Sequence, residues 1–349
     1  MSTLVAGSSD TTARVAGSDV STVLARARAV TNPILREAIS SQPPPFDVMC
    51  GYHFGWCDPA GTPVTGTAGK ALRPGLAVAA AEACGGAAAA AHAGAAVELL
   101  HNFSLVHDDV MDADPIRHGR DTVWKVWGVT NAILTGDCLH ALASQVLAAG
   151  MPAASIAESA TRLAATASEL CRGQFLDCLF ETRRSVTIGE YLAMSTGKTA
   201  ALMGCACALG ALAAGADSAT VRALDEFGRA VGIGFQLVDD VLGIWGDPVV
   251  TGKPAGADLA RRKWSFPVVR VLRSGGAEAD QLDQLYRSRE PMSQQDVATA
   301  TQLLDTLGGP APTLRYAHDR VLAAFDQLPG QIRSEDLHAL AHLAAHRTR

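Results

Sequence analysis

The stretch that decides the fold runs from Glu98 to Arg120 and reads ELLHNFSLVHDDVMDADPIRHGR. Its first half spaces apolar residues as on one face of a helix, and its second half gathers four aspartates: Asp108, Asp109, Asp112 and Asp114. Asp108 and Asp112 are four residues apart, so on a helix they point the same way, about 5.4 Å apart along the axis. Clustered carboxylates resist burial unless a cation neutralises them. The stretch therefore predicts a site for a hard cation, with Mg²⁺ favoured, or else a solvated acidic helix end.

The composition favours packed helices. The chain has 349 residues, of which 48% are hydrophobic and only 5% aromatic, so the apolar content is mainly Ala, Leu and Val. A net charge of -6 gives no reason to expect nucleic acid or an anionic membrane as partner. The eight cysteines form no CxxC pair, which favours reduced thiols in a cytoplasmic protein. The most apolar run, Ala201 to Ala216, is shorter than a membrane span, so we expect no transmembrane segment.

The order of the segments predicts one large all-α domain. Residues 1–22 are small and polar, and we expect a disordered leader there, followed by an all-α domain over residues 23–349. We expect no strand of useful length. Apolar runs predict helices over Val23–Ile39, Leu76–Val97, Val129–Leu147, Ile156–Leu179, Ile188–Leu212, Ala219–Ile244 and Leu259–Leu272.

Charged residues elsewhere in the chain complement the first aspartate cluster. Lys70 and Arg73 share a face if their turn is helical, which suits either a phosphate-like anion or a solvated basic turn. A second acidic pair, Asp239 and Asp240, ends another apolar helix, and further cations follow at Lys253 and Lys263. A helix bundle with carboxylates on facing helices around a central cavity and cations at its mouth would bind a Mg²⁺-diphosphate complex, with apolar walls below for a hydrocarbon tail.

In this combination the sequence resembles the trans-isoprenyl diphosphate synthases, or polyprenyl synthetases, over roughly Gly51 to Arg270. The motifs that carry the resemblance are GKxxRP at Gly69 to Pro74, DDxxD with a following basic residue at Asp108 to Arg117, a polar residue seven before the first aspartate at His101, QxxD at Gln174 and Asp177, KT at Lys198 and Thr199, FQxxDD at Phe235 to Asp240, and the downstream Lys253 and Lys263.

The resemblance implies an all-α isoprenoid synthase fold, two or three Mg²⁺ ions and head-to-tail condensation of isopentenyl diphosphate with an allylic diphosphate. It also implies a homodimer. The implied metal ligands are Asp108, Asp112 and Asp239, with Asp109, Lys198 and Asp240 as further catalytic residues. The implied substrate-binding residues are Lys70, Arg73, His101, Arg117, His118, Thr199, Gln236, Lys253 and Lys263.

Two departures from the family pattern stand out. The family has a second arginine where this chain has His118, which carries less charge at neutral pH and therefore weakens the expected isopentenyl site. The second motif has Gly243 where the family has its third aspartate, and the next acid is Asp247. Asp240 and Asp247 would share a helix face only if the helix continued, and they would then lie about 10 Å apart along it.

The residues before the first motif bear on product length. Phe103 lies five residues before Asp108, or about 7.5 Å along a helix, and Ser104 lies four before it. Phe103 is either the floor of the tail channel or ordinary core. In the family resembled, an aromatic residue at the fifth position and a small one at the fourth go with C20 products. We therefore expect a geranylgeranyl diphosphate synthase, with farnesyl diphosphate as the second choice of product. The alternatives are a terpene cyclase and a non-catalytic regulatory subunit of a prenyl synthase.

Overall fold

The protein is a helix bundle with one small hairpin. A computed structural model describes residues 19–64, 69–86, 89–251, 254–288 and 290–346. The hairpin joins β1 (Ile116–Arg117) to β2 (Arg120–Asp121), and the helix Ile188–Ser195 continues through one π-helical turn, Thr196–Ala200, into the next helix. The α-helices are α1 Val20–Ser40, α2 Phe46–His53, α3 Leu72–Ala83, α4 Ala90–Met111, α5 Val123–Trp127, α6 Val129–Gly150, α7 Ile156–Glu181, α8 Ile188–Ser195, α9 Ala201–Ala213, α10 Ser218–Trp245, α11 Pro248–Thr251, α12 Ala257–Ala260, α13 Phe266–Ser274, α14 Ala277–Arg287, α15 Gln294–Thr306, α16 Ala311–Asp326 and α17 Glu335–Ala345.

The core surrounds α4 and α9. Helix α4 packs against α3, α6 and α9, and α9 lies between α3 and α10. Every residue from Ala201 to Leu212 of α9 is buried, as expected for a helix that is apolar on all sides. This architecture confirms the predicted all-α fold.

In the part of the chain that the structure describes, two continuous helical segments are long and apolar enough to cross a membrane by length and composition alone. The segment Ile188–Ala213 is 83% buried in its most apolar window, which identifies it as a core helix of the bundle. The other segment is α6, of which only 44% is buried in the corresponding window. Helix α6 therefore has an exposed face, which is mixed in character and includes Val129 and Leu134.

The first helix begins earlier than the sequence indicates. The Asp19 side chain accepts a hydrogen bond from the backbone N–H of Ser21, which caps α1 and makes Val20 its first residue. Val20 to Thr22, which the sequence assigned to the leader, are therefore the first residues of this helix. The rest of the predicted leader, residues 1–18, lies outside the described residues.

Two predicted helices are each divided in two. The expected helix over Leu76–Val97 ends at Ala83, because Gly85 has φ +82° and the N–H groups of Gly85 and Gly86 bond back to Glu82 and Ala81. This is a Schellman motif, which glycine supports because it has no Cβ. The expected helix over Leu259–Leu272 is broken between α12 and α13, where Arg262 has φ +52°. The second break matters for the site, because it turns the chain toward the end of α10.

Candidate active site

The first acidic motif lies at the C-terminal end of α4. Asp109 is 2% exposed and receives two hydrogen bonds from Nε of Arg117 and one from Nη2, at 2.7–3.1 Å. The contacts of Asp108 and Asp112 are longer than those of Asp109. Lys198 Nζ is 3.8 Å from a carboxylate oxygen of Asp108, and Gln174 Nε2 is 3.5 Å from one of Asp112. Burial raises the pKa of Asp108 to about 6, and it also raises that of Asp112. Arg117 thus satisfies Asp109, while the other two carboxylates retain capacity for a cation.

A π-helical turn brings Lys198 to this motif. Its ammonium lies 2.6 Å from Asp177 of α7. Burial alone would lower the pKa of Lys198, but Asp108 and Asp177 outweigh that effect and raise it. The turn lies against α7 at Gly173, where a Cβ would come within 2.1 Å of the Lys198 backbone nitrogen. Only glycine permits this approach, and π turns of this kind are frequent at functional sites.

The second acidic motif lies at the C-terminal end of α10. Asp240 is fully buried and accepts hydrogen bonds from Tyr191 OH at 2.6 Å, the Phe266 N–H at 2.7 Å and Gln236 Nε2 at 3.1 Å. Lys263 lies 4.0 Å away. Burial nevertheless raises the pKa of Asp240 to about 6. Because three donors occupy its carboxylate, Asp240 holds α8 and α13 to α10. The neighbouring Asp239 is only partly buried.

The same π turn connects the two motifs. Lys198 approaches Asp108, and the next residue, Thr199, donates a 2.8 Å hydrogen bond to Gln236, which in turn bonds Asp240. Two adjacent side chains thus link the ends of α4 and α10. The acidic pairs, separated by about a third of the chain, are therefore connected through this turn.

Three of the predicted substrate-binding residues, His101, Arg117 and His118, lie around one cavity. A cavity of about 350 Å³ is lined by His53, His101, Asn102, Arg117 and His118, among others. Burial lowers the pKa of His101 well below its usual range, and the cations of Arg73 and Arg117 lower it further. Burial also lowers the pKa of His118, with Arg117 and Lys70 adding to the effect. The pocket is therefore lined by Arg117 and by two imidazoles whose neutral form is favoured, and Arg73 and Lys70 lie close enough to lower the pKa values of His101 and His118, respectively.

The turn of the β hairpin places His118. His118 and the next residue, Gly119, have φ values of +51° and +75°, the backbone that a tight two-residue hairpin requires. Arg117 precedes them in β1 and points to Asp109. The hairpin, which the sequence did not predict, therefore carries both basic-pair positions to the site.

The second motif differs from expectation at its end. Helix α10 ends at Trp245, so Asp247 lies beyond it. The Asp247 side chain accepts a 2.9 Å hydrogen bond from the backbone N–H of Val249. Asp247 therefore does not share a helix face with Asp240. Instead, Asp258 of α12 fills the space beside Gly243: a Cβ at that position would lie 2.1 Å from an Asp258 carboxylate oxygen. Asp258 is also 3.7 Å from Lys263.

Lys253 lies outside the described residues, so its predicted place near the diphosphate stays a prediction. Phe103 and Ser104 lie on α4 below the first motif, and Phe103 is 9% exposed. Ser104 is small and bonds back to the His101 carbonyl at 2.8 Å.

Three residues of the site were not singled out from the sequence: Tyr191, Asp258 and His53. Tyr191 and Asp258 reach the second motif from α8 and α12, far along the chain, and no local spacing marks them. His53 is the last residue of α2, and its desolvated ring has its pKa lowered to about 3.

The comparisons with known proteins agree with this geometry. The polyprenyl synthetase family model matches residues 55–304. A geranylgeranyl diphosphate synthase of Mycobacterium tuberculosis is 49% identical over 326 residues, covering 93% of each chain. A (2E,6E)-farnesyl diphosphate synthase of Mycobacterium bovis is 41% identical over 82% of this chain and 81% of its own. The crystal structure of a polyprenyl synthetase from Streptomyces coelicolor superposes with a TM-score of 0.87 at 41% identity, covering 93% of this chain and 99% of that one.

An all-α bundle with two acidic motifs linked by a lysine-threonine turn is the arrangement of a prenyltransferase. The chain belongs to the polyprenyl synthetase family and is an isoprenyl diphosphate synthase, an enzyme that elongates prenyl chains.

Proposed function

We propose that the protein makes geranylgeranyl diphosphate by adding isopentenyl diphosphate to allylic diphosphates with Mg²⁺ as cofactor. The observation that carries the proposal is the link between the two acidic motifs through Lys198 and Thr199. The product assignment is supported by Phe103 and Ser104 below the first motif and by the 49% identical geranylgeranyl diphosphate synthase. Farnesyl diphosphate remains the second candidate, because a farnesyl diphosphate synthase is 41% identical.

The residues fit Mg²⁺. Asp108 and Asp112 offer carboxylate oxygens one helical turn apart, and neither is tightly bound by a protein cation. Asp239 of the facing helix is the expected third ligand. The raised pKa of Asp108 and Asp112 reflects charge that burial disfavours and that a cation would stabilise. Mg²⁺ held by these carboxylates would supply positive charge to stabilise the diphosphate leaving group.

The protein's own side chains supply the remaining steps. Lys198 adds positive charge on the departing diphosphate and is held in place by Asp177. Isopentenyl diphosphate is bound by Lys70, Arg73 and Arg117 beside the His101 imidazole. Its double bond attacks the allylic carbon, and the proton lost from the new chain passes to the released diphosphate. The apolar walls exclude water, which would otherwise quench the allylic cation.

Product length provides the test. Phe103→Ala should lower the floor and shift products to C25 and longer, whereas Ser104→Phe should narrow the channel above it and shift them to C15. Phe325→Ala is the matched control, because it removes a ring that packs on Phe227, in a different part of the core. Chromatography of products made from isopentenyl diphosphate and farnesyl diphosphate gives the readout; for Ser104→Phe the starter is dimethylallyl diphosphate. Unchanged profiles in both α4 variants would contradict the assignment of the floor to these residues.

We also propose a cytoplasmic homodimer. All eight cysteines are free thiols, which suits a reducing compartment. Helix α6 leaves apolar residues exposed, with Val129 at 53% and Leu134 at 46%, and a second copy would cover them. Light scattering at working concentration tests the oligomeric state, and a monomer mass would contradict the dimer.

A further inference from the structure

One face of helix α1 lines the pocket proposed above for isopentenyl diphosphate. Besides Arg117, this cavity of about 350 Å³ is lined by Arg28, Thr31, Asn32 and Leu35. These four residues of α1 are spaced three and four apart, so they follow a single helix face. Arg28 is partly buried at this face. Helix α1 precedes all the motifs named from the sequence, and it nevertheless brings a permanent cation to the pocket.

Among the described residues, three arginines line this pocket, and two of them are bound firmly by other parts of the protein. Arg117 donates three hydrogen bonds of 2.7–3.1 Å to the Asp109 carboxylate, which neutralises its charge. Arg120 donates to the backbone carbonyls of Tyr52 and Cys57, and its guanidinium carbon lies 4.1 Å from the centroid of the Tyr52 ring. Both guanidinium groups are therefore already engaged within the wall of the pocket.

Arg28, the third of these arginines, is bound by a neutral group. Its Nη2 donates a 3.2 Å hydrogen bond to the backbone carbonyl of Lys70. Its charge also acts on Glu98 of the same pocket: burial raises the pKa of that carboxyl group, and Arg73 and Arg28 oppose the rise. A guanidinium carries five N–H donors in a planar fork. A hydrogen bond from one of its nitrogens to a carbonyl therefore leaves both charge and donors for an anionic ligand.

The place of Arg28 bears on the arginine that the basic pair lacks. Residue 118 is a histidine; burial lowers its pKa, and Arg117 and Lys70 lower it further, so its neutral form is favoured. His118 and Arg28 line the same pocket, and both lie close to Lys70. A diphosphate bound between them would meet a permanent charge from α1 in place of one from the β hairpin. Arginine suits this role because its planar fork matches the oxygens of a phosphate group.

We propose that Arg28 is a further substrate-binding residue, whose guanidinium contacts the diphosphate of isopentenyl diphosphate and supplies the permanent positive charge that His118 does not. The inference rests on the proposed function and deepens it, because it adds a residue of α1 to the isopentenyl site. It assigns to Arg28 no part in binding Mg²⁺ or the allylic diphosphate.

Binding of isopentenyl diphosphate alone tests the inference, because no condensation occurs without an allylic partner. Isothermal titration calorimetry of the full chain in Mg²⁺ gives the dissociation constant. Arg28→Gln keeps an N–H donor for the Lys70 carbonyl but removes the charge, so the dissociation constant should rise about tenfold. Arg28→Lys keeps the charge and should change the constant less than about threefold. Arg222→Gln is the matched control, since this exposed arginine of α10 is not among the lining residues.

Steady-state kinetics provide the second readout. Arg28→Gln should raise the KM for isopentenyl diphosphate about tenfold and change that for farnesyl diphosphate less than about twofold. If Arg28→Gln is unstable by circular dichroism, Arg28→Met, which keeps the length of the side chain, takes its place.

Two results would overturn the inference. An unchanged dissociation constant without the charge would show that Arg28 does not contact the diphosphate. Equal weakening in Arg28→Gln and Arg28→Lys would show that the charge is not what binds. A wild-type protein that binds no isopentenyl diphosphate would instead refute the proposed function, so the two failures are distinguishable.

Discussion

At the scale of single residues, Asp108 and Asp240 have similarly raised pKa values but different hydrogen-bond partners. Burial raises the pKa of each to about 6. Asp240 has three hydrogen-bond donors around it, so the protein itself stabilises its charge and uses it to join α8, α10 and α13. Among the residues that the structure describes, the cation that forms an ion pair with Asp108 is Lys198, at 3.8 Å. The difference supports the proposal that Asp240 organises the site while Asp108 binds the metal ion.

Replacing Asp108 by asparagine should therefore lower turnover by orders of magnitude and stabilise the metal-free protein. A pKa raised from 3.8 to about 6 corresponds to a destabilisation on the order of 2 to 3 kcal/mol at neutral pH. Denaturant unfolding of wild type and Asp108→Asn in a chelator measures the gain, and a steady-state assay measures the loss. Near-normal turnover at saturating Mg²⁺ would refute the assignment of Asp108.

Replacing His118 by arginine should lower the KM for isopentenyl diphosphate more than that for the allylic substrate. The imidazole is largely neutral because burial and the neighbouring Arg117 and Lys70 lower its pKa, so arginine adds a permanent charge beside that pocket. Arginine at this turn position adopts the left-handed backbone at some cost, so the stability of the variant is measured alongside. An unchanged or raised KM would mean that residue 118 does not face that diphosphate.

His53 should make the protein sensitive to mild acid. Its pKa is about 3 in the folded state and near 6.5 when unfolded, because desolvation disfavours the charged ring. The unfolded state therefore binds the extra proton, and stability is fully present above pH 6.5 and falls as the pH drops below it. Between pH 7 and pH 5 the wild type should lose about 2 kcal/mol more than His53→Gln in its free energy of unfolding. Equal losses in urea titrations at the two pH values would contradict the burial of a neutral His53.

At the scale of elements, the sequence predicted the helices well and their ends less well. Long apolar runs such as α10 were placed within a residue or two, because helical periodicity is a local property. The break after Ala83 was missed although Gly85 and Gly86 were visible, and the break between α12 and α13 depends on contacts with Asp240 from elsewhere in the chain. The expected residues of both motifs were named from spacing, whereas Tyr191 and Asp258 reach the site only through tertiary packing.

The α10–α12 contact gives a prediction of its own. Restoring the family's aspartate by Gly243→Asp should destabilise the protein, because the new side chain would collide with Asp258 and place a second carboxylate beside it. Adding Asp258→Gly should recover much of the loss, since residue 243 would then supply the negative charge near Lys263. Thermal unfolding of the single and double variants measures both effects. A Gly243→Asp variant as stable as wild type would show that Asp258 does not occupy this space.

At the scale of the whole molecule, the π turn contacts both helices that carry an acidic motif, α4 and α10. Lys198 serves the α4 side and Thr199 serves the α10 side, so the turn sets the separation of the two acidic motifs. The isopentenyl pocket lies beyond Arg117, and the expected tail channel descends along α4 toward Phe103. Each part of the proposed reaction thus has its own region. The acidic motifs alone would suffice to ionise an allylic diphosphate, whereas chain elongation also requires the isopentenyl pocket and the tail channel.

The most direct measurement is diphosphate release from an allylic substrate with and without isopentenyl diphosphate, in Mg²⁺ and in chelator, with products separated by chain length. The account predicts release that depends on both Mg²⁺ and isopentenyl diphosphate and that yields geranylgeranyl diphosphate as the main product. Release that proceeds equally without isopentenyl diphosphate would indicate a cyclase, and no release under any condition would indicate a regulatory subunit. Either result would contradict the account.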